Sequence, residues 1–212
     1  DIYEYDLETG KTRNVTEGNL GYDTSPQFSK DARLAWLQMK RDGYESDKTD
    51  IMIMIDSIPV NLTAGWDGTV NGFHWSNDGK TIYFNAPTNG TVQLFSVAVP
   101  KSADKVELPK QITSGQFDIN GIVGHNKTTM VVSRRDMNHA PELYSVNLKT
   151  GEMTQLTQAN TDFYNSIELS NVEKRMVKTT DGKDMLCWVI YPPNFDPKQK
   201  YPTLLYCQGG PQ

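Results

Sequence analysis

The sequence has 212 residues, of which 37% are hydrophobic, and its 21 basic and 26 acidic side chains give a net charge of −5. This length allows one or two domains at roughly 150 residues each, and the acidic balance without a Lys/Arg cluster argues against a nucleic-acid partner. No apolar run approaches the roughly 18 residues of a membrane-spanning helix, so no membrane span is predicted.

A hydrophobic residue followed by threonine recurs along the first three quarters of the chain. The pairs are Val15-Thr16, Leu62-Thr63, Ile112-Thr113 and Leu156-Thr157. The threonines are 47, 50 and 44 residues apart, a period found in propeller blades and in helical repeats. Short alternating segments separated by Asp, Gly and Asn turns favour four-stranded blades over helix pairs.

In chain order, the pattern predicts half a blade followed by three full blades. Residues 2–7 and 11–16 are the third and fourth strands of a blade without its first two, and full blades follow at 17–63, 64–113 and 114–157. The third strands are predicted at 50–55, 93–99 and 142–148. Closed propellers have roughly four to eight blades, so we expect open edge strands and self-association through them.

Two charged segments and a set of aromatic residues lie within these blades. Residues 41–50 are predicted to form a solvated loop. The run Arg134-Arg135-Asp136 could bind a substrate carboxylate, although an ion pair at a blade edge is the favoured interpretation. The aromatic side chains assigned to blade cores are Trp36, Trp75, Tyr83, Phe84 and Phe95.

The cysteines and histidines indicate neither a metal nor a cofactor. Cys187 and Cys207 both lie in apolar runs and are predicted to be buried, reduced thiols. The three histidines, His74, His125 and His139, lie in separate repeats without the spacing of a zinc site.

After the last repeat the pattern changes. Residues 161–171 are a predicted linker, and the Asp181-Gly182 turn between two apolar runs predicts a β-hairpin. Residues 201–207 are predicted to form a further, buried strand. The glycines that follow allow a sharp turn with free backbone amides.

Several of these segments resemble the prolyl oligopeptidase family of serine peptidases, most of all its bacterial dipeptidyl-peptidases of the V and IV types. The run Val-Glu-Lys-Arg-Met-Val-Lys-Thr-Thr-Asp-Gly at 172–182, with the continuation to 212, resembles the start of the catalytic domain. Residues 36–48 look like a family blade, whereas Ser-Pro-Gln-Phe-Ser-Lys-Asp at 25–31 is typical of many bacterial propellers.

The resemblance implies an all-β fold made of a partial β-propeller followed by the first strands of an α/β-hydrolase domain. The corresponding divisions are a propeller at 1–160, a linker at 161–171 and the truncated catalytic domain at 172–212. The chain would then be a fragment of a longer enzyme.

The implied chemistry is hydrolysis of short peptides by a Ser-His-Asp triad, with the propeller gating access for the peptide substrate. The chain contains no Gly-x-Ser-x-Gly motif, so no catalytic residue is assigned and the fragment is expected to be inactive. The oxyanion-hole candidates are the backbone N–H of Gly209 and, as a residue that shapes the loop, Gln208. A periplasmic or secreted location is implied by the resemblance alone.

A second hypothesis is a non-enzymatic periplasmic propeller that binds protein or glycan partners. It rests on the generic Ser-Pro-x-Phe-Ser phrase and leaves residues 172–212 without a role. A Gly-x-Ser-x-Gly motif further along the reading frame would favour the peptidase.

Overall fold

The fold is that of a computed structural model, in which residues 1–103, 105–207 and 209 are described. Its regular structure is almost entirely β. A two-stranded sheet comes first, formed by β1 (Tyr3–Tyr5) and β2 (Thr12–Asn14). The one helix in the described part of the chain, α1 (Thr161–Asn165), has five residues and is too short to cross a membrane.

Three antiparallel sheets of four strands follow, each with its strands in chain order. The first contains β3 (Asp23–Phe28), β4 (Leu34–Gln38), β5 (Asp50–Ile55) and β6 (Ile58–Asn61). The second contains β7 (Gly72–Trp75), β8 (Thr81–Thr88), β9 (Thr91–Ala98) and β10 (Lys110–Gln111). The third contains β11 (Asp118–His125), β12 (Thr129–Arg135), β13 (Glu142–Asn147) and β14 (Met153–Gln155). The predicted all-β fold, with three four-stranded blades after half a blade, is confirmed.

The repeated threonine has the same role at the end of every blade. Its hydroxyl oxygen accepts a hydrogen bond from a backbone N–H near the start of the third strand. The pairs are Ile2 N–Thr16 Oγ1 (3.0 Å), Ile51 N–Thr63 Oγ1 (3.0 Å), Leu94 N–Thr113 Oγ1 (2.9 Å) and Leu143 N–Thr157 Oγ1 (2.9 Å). The sequence period therefore has a direct structural cause.

In the three full blades the threonine hydroxyl also donates a hydrogen bond. Its acceptor is the side chain of the residue just before that N–H, namely Asp50 Oδ1 (2.6 Å), Gln93 Oε1 (2.8 Å) or the Glu142 carboxylate. The hydroxyl of Thr157, assisted by the N–H groups of Asn160 and Ala159, lowers the pKa of the Glu142 carboxyl below its ordinary value. Each threonine thus closes its blade by donating and accepting at once.

The hydrophobic core lies between the blades. The largest cluster joins the first and second full blades, and a second cluster joins the second and third. Phe84 and Phe95 stack with ring centroids 5.5 Å apart, and Trp66 meets Phe84 edge-on at 5.4 Å. The predicted core aromatics are confirmed: Trp36, Trp75, Phe84 and Phe95 are buried, and Tyr83 is half-buried against the second cluster.

Side-chain hydrogen bonds keep the first strands of the full blades side by side. Gln27 Nε2 donates to the Phe73 carbonyl at 2.9 Å, and Trp75 Nε1 donates back to the Gln27 carbonyl at 3.2 Å. The next pair of blades is joined by Asn85 Nδ2, which donates to the Ile119 carbonyl at 3.0 Å. Strand β7 therefore lies between β3 and β11, in contact with both.

The last sheet is a hairpin of β15 (Val172–Lys178) and β16 (Asp184–Ile190), joined by a turn in which Gly182 has a φ of +79°. The predicted hairpin is confirmed.

The prediction of a buried strand at 201–207 is wrong, because no strand is present there and Leu204, Leu205 and Tyr206 are exposed. A strand needs a neighbour for its backbone hydrogen bonds, and among the described residues β15 and β16 pair only with each other.

Both cysteines are free thiols, as predicted, but their burial differs from the prediction. Cys187 is half-buried in β16, whereas Cys207 is exposed. Cys207 lies in the segment that forms no strand, so its apolar neighbours in sequence do not cover it.

We expect removal of one blade-closing hydroxyl to destabilise the propeller. Thr63 is fully buried, so Thr63→Ala leaves the Ile51 N–H without its acceptor and should lower the free energy of unfolding by about 1–3 kcal/mol. Thr63→Ser keeps the hydroxyl and should lose less. Chemical denaturation measures both, and the exposed Thr154→Ala, which should change stability by less than about 0.5 kcal/mol, is the control. Equal losses in Thr63→Ala and Thr154→Ala would contradict the role of this bond.

Candidate functional site

A polar hollow of about 440 Å³ lies on the face formed by the first strands β3, β7 and β11. Ligand sites in proteins range from about 300 to 1,000 Å³. The polar side chains that line it include Ser25, Gln27, Asn71, His74, Asn85 and Asn120. The polar groups of the hollow are therefore mainly amides, and they lie beside the apolar residues Phe73, Val92, Ile119 and Ile122.

The strands around the hollow are irregular. In β3 the register shifts between Thr24 and Gln27, and Ser25 has a φ of +54°, a left-handed conformation that is uncommon outside glycine. In β11 the register shifts twice, between Ile119 and Gly121 and again further along. Bulges and positive-φ residues of this kind are concentrated at functional sites, where they redirect side chains.

Several polar side chains in the hollow have no hydrogen-bond partner among the described residues. The amides of Gln27 and Asn85 are used in the contacts between blades. Within the described part of the chain, the side chains of Ser25, Asn71, His74 and Asn120 make no hydrogen bond, so they are free to bind a ligand.

His74 adds a neutral group to the hollow. Partial burial of the His74 ring is the main cause that lowers its pKa below the ordinary value, and the nearby His125 lowers it further. The ring is therefore uncharged at neutral pH and can both donate and accept a hydrogen bond.

A salt bridge lies at the rim of the hollow. Arg135 Nε is 3.6 Å from Asp118 Oδ2, and Asp118 Oδ1 accepts a 2.8 Å hydrogen bond from the Val92 N–H. Arg134 lies between the rings of Phe117 and Tyr144, at 4.1 and 4.6 Å from their centroids. The ion pair favoured by the sequence is thus present for Arg135, while Arg134 is held by cation–π contacts.

The predicted solvated loop at 41–50 is present only in part, because residues 47–50 are half-buried and Asp50 begins β5. Residues 41–46 are exposed, and Arg41 Nη2 lies 2.9 Å from Asp47 Oδ1. The hydrogen bond from the guanidinium lowers the pKa of the Asp47 carboxyl to about 2. Arg41 and Asp47 are therefore paired within this loop.

The C-terminal hairpin docks on the turn between β8 and β9. Lys174 Nζ donates to the Asn89 carbonyl at 3.1 Å. The Asn89-Gly90 turn has positive φ at both residues, and a Cβ added at Gly90 would lie 2.9 Å from Leu186 Cδ2 and 3.1 Å from Trp188 Nε1. The second blade and the hairpin are therefore in close contact through a position without a side chain.

The loop after β12 forms the other half of this junction. Asn138 Nδ2 donates to the Ser170 carbonyl at 2.7 Å, and the Ala140 N–H donates to the Tyr164 hydroxyl at 2.6 Å. A second hollow of about 240 Å³ lies between this loop, the Gly90 turn and Trp188. Asp118 lines both hollows, so the two adjoin.

The polar groups in these hollows can donate and accept hydrogen bonds. Among the described residues no serine hydroxyl is hydrogen-bonded to a histidine, and no group of three or more His, Cys, Asp and Glu side chains could hold a metal. Gly209 is exposed with open space around it, and Gln208 lies outside the described residues. The oxyanion role assigned to these two residues stays a prediction.

Sequence reasoning missed Ser25, Asn71 and Asn120 as candidate ligand-binding residues. The Ser25-Pro26 pair carried a usable signal, since proline inside a strand marks an edge or a bulge. The two asparagines are isolated polar residues in strand or turn segments, and only the meeting of three blades brings them to one hollow.

Comparison with known proteins places these features in context. The sequence profile described as "Dipeptidyl peptidase IV (DPP IV) N-terminal region" matches residues 5–186. The chain is 39% identical to dipeptidyl-peptidase 5 of Porphyromonas gingivalis over 215 aligned positions, which cover all of this chain and 31% of that protein. The chain therefore spans about a third of the length of this relative.

Two solved structures share the fold. The acylaminoacyl peptidase of Pyrococcus horikoshii superimposes with a TM-score of 0.73 at 20% identity, over 95% of this chain and 29% of that one. The β-propeller domain of the Trilobed protease of Pyrococcus furiosus gives a TM-score of 0.56 at 21% identity, over 77% of this chain and 45% of that one. The propeller assignment is thus supported by structures that include a β-propeller domain.

We expect a side chain at Gly90 to loosen the hairpin from the propeller. Gly90→Ala should push Leu186 and Trp188 away and increase hydrogen exchange across β15 and β16. Gly182→Ala is a matched control, because Gly182 has nearly the same φ, +79° against +78°, but no atom within 4 Å of the added Cβ. Both variants carry the backbone cost of a positive φ, so hydrogen exchange that rises equally in both would contradict the docking role.

Proposed function

The chain belongs to the family of the dipeptidyl peptidase IV N-terminal region, and on this premise we propose that it is part of a serine exopeptidase of the dipeptidyl-peptidase type. The observation that carries the proposal is the match of the whole chain to a dipeptidyl-peptidase 5. Peptides are the proposed substrates, and the propeller is proposed to gate their access. A periplasmic or secreted location belongs to the same proposal.

We propose the division into a propeller at 1–160, a linker at 161–171 and the start of an α/β-hydrolase domain at 172–212. Three features support it: Thr157 closes the last described blade, α1 lies in the linker and β15 begins at Val172. The docking of the hairpin on the Gly90 turn would then set the position of the catalytic domain over the blades.

The proposed reaction uses groups from both parts of the enzyme. A serine activated by histidine and aspartate would attack the peptide carbonyl; these three residues would lie outside this 212-residue sequence. The Gly209 N–H would donate to the oxygen that becomes negatively charged, and Gln208 would shape the loop. Self-association through open blade edges stays a prediction.

The intact protein should release a chromophore from dipeptide substrates, and a serine-directed reagent should abolish this release. The 212-residue chain alone should show no turnover, because it has no nucleophile motif. Steady hydrolysis by the isolated chain, or an intact protein whose hydrolysis resists the reagent, would contradict the proposal.

Variants of the last residues test the oxyanion assignment in the intact protein. Gly209→Pro removes the N–H and should lower kcat by about 10²–10³, with little change in KM. Gly209→Ala keeps the N–H, so it serves as the matched control. Gln208→Ala should slow turnover less than about tenfold if the side chain only shapes the loop, since loss of a true donor costs at least about a hundredfold.

A further inference from the structure

We propose that the polar hollow on β3, β7 and β11 binds a peptide segment in extended conformation, laid along β11 at Gly121. This inference rests on the proposed function in one respect, namely that peptides are the substrates. It adds a binding site on the propeller, separate from the oxyanion loop, that recognises the main chain of the peptide.

The first observation is a free backbone edge. Among the described strands, β3, β7 and β11 each begin a sheet and pair on one side only. Such an edge presents N–H and C=O groups that an extended peptide can pair with, as in β-strand addition. The hollow lies along these three strands.

The second observation is the open space beside β11. A Cβ added at Gly121 would meet no atom within 4 Å, and the same holds for Gly124. Neither glycine has a positive φ, so backbone conformation does not explain them. Glycine inside a strand commonly marks a place where another backbone approaches closely, and Gly121 lines the hollow.

The third observation is the chemistry of the free groups. The Asn71 and Asn120 side chains each carry a carbonyl and an amide N–H, the same pair that a peptide unit carries. Both residues are exposed and, within the described chain, make no side-chain hydrogen bond. They can therefore pair with the main chain of a peptide of any sequence.

The charges around the hollow point to a neutral ligand. Arg135 and Asp118 are paired with each other, and His74 is uncharged at neutral pH. No unpaired charge among the described lining residues favours an anionic or a cationic partner. Binding should therefore depend little on salt, changing less than about twofold between about 0.05 and 0.3 M.

Binding to the intact protein can be measured by fluorescence anisotropy. The probe is an N-acetylated octapeptide of alternating alanine and serine with fluorescein on a C-terminal lysine, whose blocked end prevents removal of dipeptides. Gly121→Val fills the space beside β11 and should weaken binding about tenfold, the equivalent of one or two hydrogen bonds.

Gly124→Val is the matched control. It places the same side chain in open space on the same strand, but Gly124 does not line the hollow. Asn120 is exposed, so removal of its side chain should not affect folding. Asn120→Ala should weaken binding of the probe about threefold or more. Three results would overturn the proposal. These are equal affinity of the probe for all variants, an equal loss of affinity in both valine variants, and displacement of the probe by maltoheptaose.

The assay separates this site from the proposed function, because the probe is not cleaved. If the intact protein hydrolyses no dipeptide substrate but Gly121→Val alone impairs binding, the peptidase proposal fails and the site stands. If hydrolysis is normal and the wild-type protein does not bind the probe, the site fails and the peptidase proposal stands.

Discussion

A threonine hydroxyl at the end of each blade makes the hydrogen bond on which the rest of this structure depends. It accepts a hydrogen bond from a backbone N–H of the third strand. In the full blades it also donates a hydrogen bond to the side chain of the residue just before that N–H. A buried N–H without an acceptor would cost about 1–3 kcal/mol. The bond recurs four times along the chain, and three of its threonines, Thr16, Thr63 and Thr113, are buried. The short fourth strands, two to four residues long, have few ladder bonds, so this side-chain bond fixes their position.

The core between the blades and the first strands of the blades differ in character. The core between them is close-packed, with Ile51, Ile82 and Phe84 fully buried. The first strands β3 and β11 are instead bulged and carry unpaired polar groups on one face. The packed core on one side thus adjoins an irregular surface with polar groups on the other.

The junction between the propeller and the C-terminal hairpin is made by a small number of contacts of different kinds. Lys174 reaches one turn of the second blade, Asn138 reaches the segment before β15, and Gly90 allows Leu186 and Trp188 to approach. Asp118 lines the hollows on both sides, so the junction adjoins the hollow on the first strands. The family relationship agrees with the proposed position of the propeller beside a catalytic domain.

The sequence by itself determined the blades, because the threonine and the alternating apolar residues act within one repeat. It predicted β5 to the residue and assigned Trp36, Phe84 and Phe95 to the core correctly. It was wrong about residues 201–207 and Cys207, because an apolar run becomes a strand only where a neighbouring strand pairs with it. Only the tertiary structure decided that Ser25, Asn71 and Asn120 share one hollow and that Gly90 meets Trp188. Those contacts join different repeats, and no local pattern encodes a distance between residues that are far apart in the chain.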